Sequence, residues 1–341
     1  MFRLAGRQYR KTTFGRAPWF PAESFCIWPQ ALPRCRRCRD WRGRKPIQGS
    51  RCIIVGFAAG GGADIAARLI GQWLSDRLGQ SFVIENRPGA GSNIGTETVL
   101  NALPDGYTLL LATLSNAVNT TLYEKLNFRF TRDITPIAGI IRVPHVILVH
   151  PSVPAKTVPE FIAYAKANPG KVNMATGGNG SSGHMAGELF SVMAGIKLAH
   201  IPYRGQGPAF SDLLGGQVQV LFATTPGTTD YISTGKLRAL AVTSTSRVEV
   251  LPELSTVGDF LPGYEASQWY GIGAPRNTPA EITDKLNKEI NAGLVDARMK
   301  ARFADIGGTV LPGSAADFGK LIAEETEKWG KVIRAAGIKA E

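Results

Sequence analysis

The amino-acid sequence predicts an α/β protein of two lobes with a cleft between them, in which each lobe is a mostly parallel sheet flanked by helices. From residue 53 onward, short apolar runs of strand length alternate with amphipathic stretches of helix length, an order typical of parallel sheets covered on both faces. The pattern restarts near residue 137, giving two blocks of similar size. Each block contains one glycine-rich turn between a strand and a helix.

The first block begins lobe 1, which we place at residues 51–147 together with residues 268–341. The predicted helix around residues 66–74 has its apolar residues on one face. A second helix is predicted around residues 94–100, with Asn93 as its cap. The predicted strands of this block are 53–55, 82–84 and 108–112.

The second block runs through lobe 2, placed at residues 148–267, and its first strands are predicted on either side of Pro144. In the helix that follows residues 177–182, we expect Met185, Leu189 and Val192 to point inward. The predicted strands are 137–141, 146–149, 172–175, 198–201, 218–222, 237–242 and 269–274, and the other predicted helices are 158–167, 279–304 and 315–336.

The net charge of +12 is concentrated at the N-terminus. Residues 1–51 hold 13 lysines and arginines against two acidic residues, whereas the remaining 290 residues hold 26 against 25. The neutral body argues against a nucleic-acid-binding protein. No apolar run approaches the roughly 20 residues that span a bilayer.

Residues 1–50 differ in composition from the rest of the chain and show neither helical nor strand periodicity. They lack the apolar stretch of a secretory signal. Three interpretations remain: a disordered basic tail, a targeting segment of unusual type, or a misplaced start or reading frame. The abrupt change in composition favours the third.

Cys35 and Cys38 have zinc-ligand spacing, but no second ligand pair accompanies them, so we expect no metal.

The first glycine-rich turn, residues 57–64, lies between a strand and a helix. Its glycines allow a ligand to approach the backbone, and the free N–H groups of a helix's first turn attract anions. The third glycine of a dinucleotide fingerprint is replaced by Ile65, and no P-loop lysine follows. A plain tight turn is the alternative. We expect Asp64 to bond amides of its own loop rather than a ligand.

The second glycine-rich turn, residues 176–184, offers amides and hydroxyls, with a serine as the predicted helix cap. Ser181, Ser182 and His184 suggest a nucleophile, but Asn179 and His184 occupy the glycine positions of a nucleophile elbow. We therefore expect no catalytic residue here. The four histidines of the chain have no metal-ligand spacing.

Two further features are open to more than one interpretation. The turn at residues 86–93 is explained by proline–glycine turn chemistry and a helix cap, although its glycines also permit a ligand contact. The aromatic residues Tyr203, Trp269 and Tyr270 follow or lie in predicted strands, where each is equally consistent with the core and with the wall of the cleft.

Seven motifs occur in an order that resembles the solute-binding receptors of tripartite tricarboxylate transporters, the Bug family, and the similarity covers residues 53–341. They are IIVGFAAGGGAD (53–64), ENRPGAG (85–91), PDGYTLL (104–110), HPSVPA (150–155), GNGSSGH (178–184), PYRG (202–205) and LRALAVT (237–243). The resemblance implies a periplasmic-binding-protein-like fold of type II, a "Venus flytrap", located in the periplasm.

The resemblance also implies a receptor that is not an enzyme, needs no cofactor, acts as a monomer and delivers a small organic carboxylate to membrane permease subunits. In such receptors the two turns bind the carboxylate through backbone amides, hydroxyls and water. The candidate ligand-binding residues are Phe57, Ala58, Ala59, Gly60, Gly61, Gly62, Ala63, Asp64, Ser115, Asn179, Gly180, Ser181, Ser182, His184, Tyr203 and Thr224.

The sequence departs from the family pattern in three places. Gly56 stands where the family usually has proline, which is expected to loosen the exit from the first strand. Residues 223–225 are Ala-Thr-Thr where many members carry an aspartate, which argues against recognition of an amine. The export signal of the family is not recognisable, although the resemblance implies export.

Overall fold

The structure of the protein is a computed structural model that describes residues 50–339. The basic segment and three of the four cysteines, including the Cys35–Cys38 pair, lie outside the described residues, so the predictions made for them are not addressed by the fold.

Ten strands alternate with helices along the described chain. The strands are β1 (Arg51–Val55), β2 (Phe82–Asn86), β3 (Thr108–Thr113), β4 (Ile134–Val149), β5 (Asn173–Thr176), β6 (Ala199–Pro202), β7 (Val220–Thr224), β8 (Arg238–Val242), β9 (Ser267–Pro275) and β10 (Thr309–Val310). The helices are α1 (Gly62–Leu78), α2 (Asn93–Leu100), α3 (Leu114–Leu122), α4 (Phe130–Asp133), α5 (Val158–Ala167), α6 (Ser182–Ala194), α7 (Gln206–Leu214), α8 (Thr229–Ser233), α9 (Ala280–Val295), α10 (Ala297–Ala304) and α11 (Ala315–Ala336).

The strands form one continuous curled sheet in the order β2-β1-β3-β9-β4-β7-β5-β6, and β8 and β10 also pair with β4. Strands β2, β1 and β3 are parallel, and so are β7, β5 and β6. The pairs β3–β9, β9–β4 and β4–β7 are antiparallel. The predicted parallel units therefore lie at the two ends of the sheet, joined by antiparallel strands.

The long central strand β4 corrects the prediction of two strands separated at Pro144. It is a single strand of 16 residues. Residues 134–144 pair with β9, whereas residues 145–149 pair with β7. A proline has no N–H to donate to a neighbouring strand. It is tolerated here because β4 exchanges one partner strand for another at this residue.

The predicted helix 279–304 is also wrong as a single element. Asp296 is extended, with φ of −64° and ψ of 131°, and its side chain accepts hydrogen bonds from the N–H groups of Arg298 and Met299. This cap ends α9 and starts α10, because a side-chain acceptor satisfies the free donors of a new first turn. The predicted helices 158–167 and 315–336 are confirmed as α5 and α11.

Three smaller predictions change in the structure. Val192 is exposed rather than inward-facing, although Met185 is buried. Asn93 is the first residue of α2 instead of its cap, and its Oδ1 accepts a hydrogen bond from Asn119. Helices α3, α4, α7 and α8 were not predicted, and each of them is short.

The hydrophobic core lies on both faces of the sheet. Helices α1 and α9 pack on one face against strands whose side chains include Ile53, Leu109 and Ile272. Trp269 and Trp329 are fully buried in a second cluster, where the ring of Trp269 meets that of Phe318 edge-on at 5.6 Å. These packed layers hold the strand ends, and therefore the two glycine-rich turns, in fixed positions.

Candidate functional site

A small cavity of about 40 Å³ lies where the two glycine-rich turns meet. It is bounded by the start of α1 on one side and the start of α6 on the other. The described residues that line it are Phe57, Gly61, Gly62, Ala63, Ser115, His145, Gly177, Ser181, Ser182, Gly183, Gln206, Phe222, Thr224, Gln268 and Tyr270. None of these residues is a lysine, arginine, aspartate or glutamate.

The first turn is held from within by Asp64. One carboxylate oxygen accepts a hydrogen bond from the Gly60 N–H at 3.1 Å, and both oxygens bind Arg68 at 2.9 Å. Burial alone would raise the pKa of Asp64, but the hydrogen bonds from Arg68 and Gly60 outweigh it and lower the pKa below 3.8. The prediction that Asp64 binds its own loop is confirmed.

Gly62 forms the closest approach of the first turn to the opposite wall. A side chain here would place Cβ 2.5 Å from Thr224 Oγ1 and 2.7 Å from Tyr270 Oη. Neighbouring Gly61 is less constrained, because its Cβ would lie 3.5 Å from Gln206, an ordinary contact. The cavity is thus narrow at Gly62 because two hydroxyl groups occupy the place of a side chain.

The second turn is held by two residues of its own helix start. Ser181 caps α6, as predicted for a serine of this turn, by accepting a hydrogen bond from the His184 N–H at 3.2 Å. The His184 ring accepts one from the Gly180 N–H and stacks on His200 with 3.9 Å between ring centroids. Burial, together with His200, lowers the pKa of His184 to about 3. His184 is therefore a neutral support of the turn.

Three side chains form a hydrogen-bonded chain along one wall. The Tyr270 hydroxyl hydrogen-bonds to Thr224, and Thr224 Oγ1 donates to Gln206 Oε1 at 2.6 Å. Burial raises the pKa of Tyr270, which keeps the phenol protonated. The other end of the Gln206 amide, Nε2, is buried and has no hydrogen-bond partner among residues 50–339. A buried donor without a partner is costly, so Gln206 is arranged to meet an acceptor in the cavity.

On β4, directly beside Thr224 of β7, His145 Nε2 lies 2.8 Å from Ser182 Oγ. His145 is on β4 and only 1% exposed, and burial lowers its pKa to about 4. The imidazole is therefore neutral at physiological pH, with one N–H group and one lone pair.

The structure brings together eight of the sixteen candidate residues on the wall of this cavity. They are Phe57, Gly61, Gly62, Ala63, Ser115, Ser181, Ser182 and Thr224. Asn179 and Tyr203, with Phe57, line a second and larger groove of about 430 Å³ next to it. The Tyr203 hydroxyl donates to Asp212 at 2.5 Å.

The other six candidates line neither space. Ala59 and Gly60 are exposed, and the Ala58 N–H donates to the Arg204 carbonyl at 3.0 Å. Asp64, Gly180 and His184 are engaged in the bonds that shape their own turns. These residues position the lining of the cavity without being part of it.

The candidate residues did not include His145, Gly177, Gly183, Gln206, Phe222, Gln268 or Tyr270, although Gly177 and Gly183 lie within the predicted second turn. The sequence was equally consistent with Tyr270 and Trp269 in the core or on the wall of the cleft. The structure places Tyr270 on the wall, while Trp269 packs in the core. Strand alternation is the signal that could have separated them. For His145 and Gln206 there was no local signal, since each is a single polar residue.

Within residues 50–339, no group of three or more histidine, cysteine or acidic side chains is placed to hold a metal ion. No helix in the same range has both the length and the apolar character of a membrane span.

Residues 66–338 match the tripartite tricarboxylate transporter family receptor. The chain belongs to this family. Protein BugT of Bordetella pertussis (strain Tohama I) is 36% identical over 298 residues, covering 86% of this chain and 90% of BugT. Family membership confirms the resemblance that the seven motifs indicated, and it makes the chain a solute-binding receptor.

Two solved structures are similar over most of the chain. The periplasmic binding protein BugD is 34% identical with a TM-score of 0.82, covering 86% of this chain and 99% of BugD. An R. palustris protein with adipate is 35% identical with a TM-score of 0.83, covering 88% of this chain and 99% of that protein. These matches confirm the predicted α/β binding-protein fold.

Proposed function

We propose that the cavity between the two turns captures a small organic carboxylate, and that the protein delivers it from the periplasm to the permease subunits of a tripartite tricarboxylate-type importer. The observation that carries the proposal is the convergence of two helix starts, α1 and α6, on one small cavity. Free N–H groups and the helix dipole favour an anion at such a position.

The lack of charged side chains among the described lining residues sets the mode of recognition. An anion in this cavity meets backbone amides, hydroxyls and the Gln206 amide instead of a lysine or arginine. Hydrogen bonds to a charged acceptor are about twice as strong as neutral ones, so several of them stabilise a carboxylate without a counter-ion. The adipate complex of the R. palustris relative supports a carboxylate as ligand.

The wall at residues 223–225 argues against an amino acid as ligand. Thr224 faces the cavity and bonds to Gln206, while Ala223 is buried in the core. Neither residue carries a negative charge. A ligand ammonium group would therefore be buried without a carboxylate partner, which is costly.

We also propose that the two parallel units act as lobes 1 and 2 around the cavity. The change of partner strand within β4, from β9 to β7, supports this division. The turn at residues 57–64 extends from the first unit, and the turn at residues 177–184 extends from the second.

We infer that the ligand is bound and not converted. Ser182 and His145 have the spacing of a nucleophile and its base, which favours acyl transfer as a second candidate. However, the lowered pKa of His145 makes it a weak base. The nearby Glu265 carboxylate is already bonded to Ser267 and Lys328, each at 2.6 Å, so it does not orient the imidazole.

Calorimetric titration of the purified protein with succinate, aspartate and the corresponding amide tests the proposal. Succinate should bind at least about tenfold more tightly than aspartate, because the ammonium group lacks a partner. The amide should bind more weakly still, since it loses the charge-assisted hydrogen bonds. Tightest binding of aspartate, or turnover of malate or citrate by the protein, would contradict the proposal.

A further inference from the structure

Thr224 and Gln206 form a short hydrogen bond on the wall of the cavity. Thr224 Oγ1 lies 2.6 Å from Gln206 Oε1, and both residues are among those that line the cavity. Thr224 is the last residue of β7 and is only 3% exposed. Gln206 is the first residue of α7. The bond therefore connects a strand end to a helix start at the edge of the cavity.

The length of this bond determines which end of the Gln206 amide faces Thr224. An O–H···O bond is roughly 2.5–3.0 Å long, whereas an N–H···O bond is roughly 2.7–3.2 Å long. The separation of 2.6 Å therefore matches a hydroxyl that donates to the amide oxygen. It is too short for an amide N–H that donates to the hydroxyl.

The opposite end of the amide is left as a hydrogen-bond donor. Gln206 Nε2 is buried and has no hydrogen-bond partner within the described residues 50–339. A Cβ added at Gly61 would meet the Gln206 Cβ at 3.5 Å, so the stem of the glutamine packs against the first turn. With its oxygen bonded to Thr224 and its stem beside this turn, Gln206 meets a ligand through its N–H groups.

An amide that only donates discriminates between two ligand groups of the same shape. A carboxylate has lone pairs on both oxygens, so it accepts both from Nε2 and from the N–H groups at the helix starts. A carboxamide in the same place turns N–H groups toward Gln206 or toward the helix starts. A buried donor that faces another donor loses its hydrogen bond, which is costly.

We propose that Thr224 is a positioning residue, which acts on the ligand through Gln206 and sets the preference of the receptor for a carboxylate over the carboxamide of the same shape. Without the Thr224 hydroxyl, the Gln206 amide is free to reverse and to offer Oε1 to a ligand NH2 group. The inference rests on the proposed capture of a carboxylate, and it names the pair of residues that excludes the neutral analogue.

The first experiment compares succinate with succinamide by calorimetric titration. In Thr224→Val the preference for succinate should fall about tenfold relative to the wild-type protein, the effect of one well-formed hydrogen bond. Thr224→Ser keeps a hydroxyl and should restore the preference. Thr228→Val is the matched control, because Thr228 is fully buried and donates to the Thr225 carbonyl at 2.7 Å but does not line the cavity. Its preference should equal that of the wild-type protein.

A double-mutant cycle separates positioning from a structural role. Thr224→Val should weaken succinate binding about fivefold in the wild-type background. In the Gln206→Met background it should weaken binding less than about twofold, because no amide remains to be oriented. Equal losses of affinity in the two backgrounds would overturn the inference.

A third comparison does not require the Thr224 variants to fold. In Gln206→Glu a carboxylate oxygen takes the place of Nε2, so succinate should bind at least about tenfold more weakly than to Gln206→Met, which offers neither donor nor charge. Equal affinities of these two variants would show that the ligand does not meet this end of the side chain, and would overturn the inference.

Two outcomes distinguish the inference from the proposed function. An unchanged preference for succinate in Thr224→Val would overturn the inference and leave the proposed capture of carboxylates intact. If succinamide binds the wild-type protein as tightly as succinate, or if neither compound binds, both the inference and the proposed function are wrong.

Discussion

The two glycine-rich turns that meet at the cavity are stabilised in opposite ways. The first turn is closed by an ionised carboxylate, Asp64, which bonds the Gly60 N–H and Arg68. The second is closed by a neutral imidazole, His184, which accepts from the Gly180 N–H and stacks on His200. Both use a side chain from the first turn of the following helix to accept a backbone N–H of the loop.

The turns also differ in what they present to the cavity. The first contributes no polar side chain, since it lines the cavity with Phe57, Gly61, Gly62 and Ala63, and Gly62 has no room for a side chain. The second offers side chains, with the hydroxyl groups of Ser181 and Ser182 on the wall. The difference shows that one glycine-rich turn can limit the width of a site, while a similar turn on the other side supplies hydroxyl groups.

Substitution of Gly62 tests the steric part of this comparison and should have the largest effect. In Gly62→Ala the new Cβ would lie 2.5 Å from Thr224 Oγ1, so Thr224 must give up its bond to Gln206 or the turn must move. Overpacking of this kind costs about 1–3 kcal/mol, and we expect succinate affinity to fall by about 100-fold.

Gly61→Ala is the matched control for this substitution, because it adds the same methyl group at ordinary contact distance in the same turn. Its affinity should change less than about threefold, since a contact at this distance is not repulsive. Titration calorimetry with thermal unfolding of both variants separates loss of binding from loss of folding. Equal losses of affinity in the two variants would show that the close approach at Gly62 does not limit the size of the cavity.

Acidification should destabilise the second turn before the first. The pKa of His184 falls from 6.5 to about 3 on folding, mainly through burial. The unfolded state therefore binds an extra proton below pH 6.5, and the stabilisation is complete above this pH and is lost toward pH 3. The loss amounts to about 2 kcal/mol between pH 6.5 and 5.

His145 contributes in the same direction between pH 6.5 and about 4. The pKa of Asp64 is instead lowered below 3.8, so the stabilisation of the first turn is lost only below that value. Urea unfolding at pH 7.5, 6 and 5 should show a shallower pH dependence in His184→Gln than in the wild-type protein. Identical slopes would place the acid sensitivity elsewhere.

A smaller effect, on stability, is expected at Gly56, which precedes the first turn and departs from the family pattern. A Cβ at Gly56 would overlap the side chain of Ser92. Ser92 itself has a φ of 81°, and its buried Oγ has no hydrogen-bond partner within the part of the chain that the structure describes. Left-handed backbone costs a non-glycine residue about 1 kcal/mol or more. Ser92→Gly should therefore stabilise the protein by about 1 kcal/mol.

A double-mutant cycle completes this test. Gly56→Ala should destabilise the wild-type protein and cost about 1 kcal/mol less in the Ser92→Gly background, because part of the overlap is removed. Urea unfolding of the four proteins measures the coupling. Additive effects would mean that Gly56 is constrained by other contacts, such as Gly95, whose Cβ would lie 3.1 Å from the Gly56 Cα.

The sequence by itself determined the features that depend on neighbours in the chain. Strand and helix periods, the positions of both glycine-rich turns, the serine cap of α6 and the loop bond of Asp64 all follow from residues a few positions apart. The break at Asp296 was missed because an aspartate within an amphipathic pattern is compatible both with a continuing helix and with a new cap.

Only the tertiary structure decided the composition of the cavity wall. His145 reaches Ser182 because β4 pairs with β7 across the curled sheet, and Gln206 reaches Thr224 because α7 starts beside the end of β7. Tyr270 joins them from β9, far along the chain. Hydrogen bonds of this kind depend on sheet register and on burial, which lowers the effective dielectric and fixes protonation. Both are properties of the packed molecule, which local sequence patterns do not record.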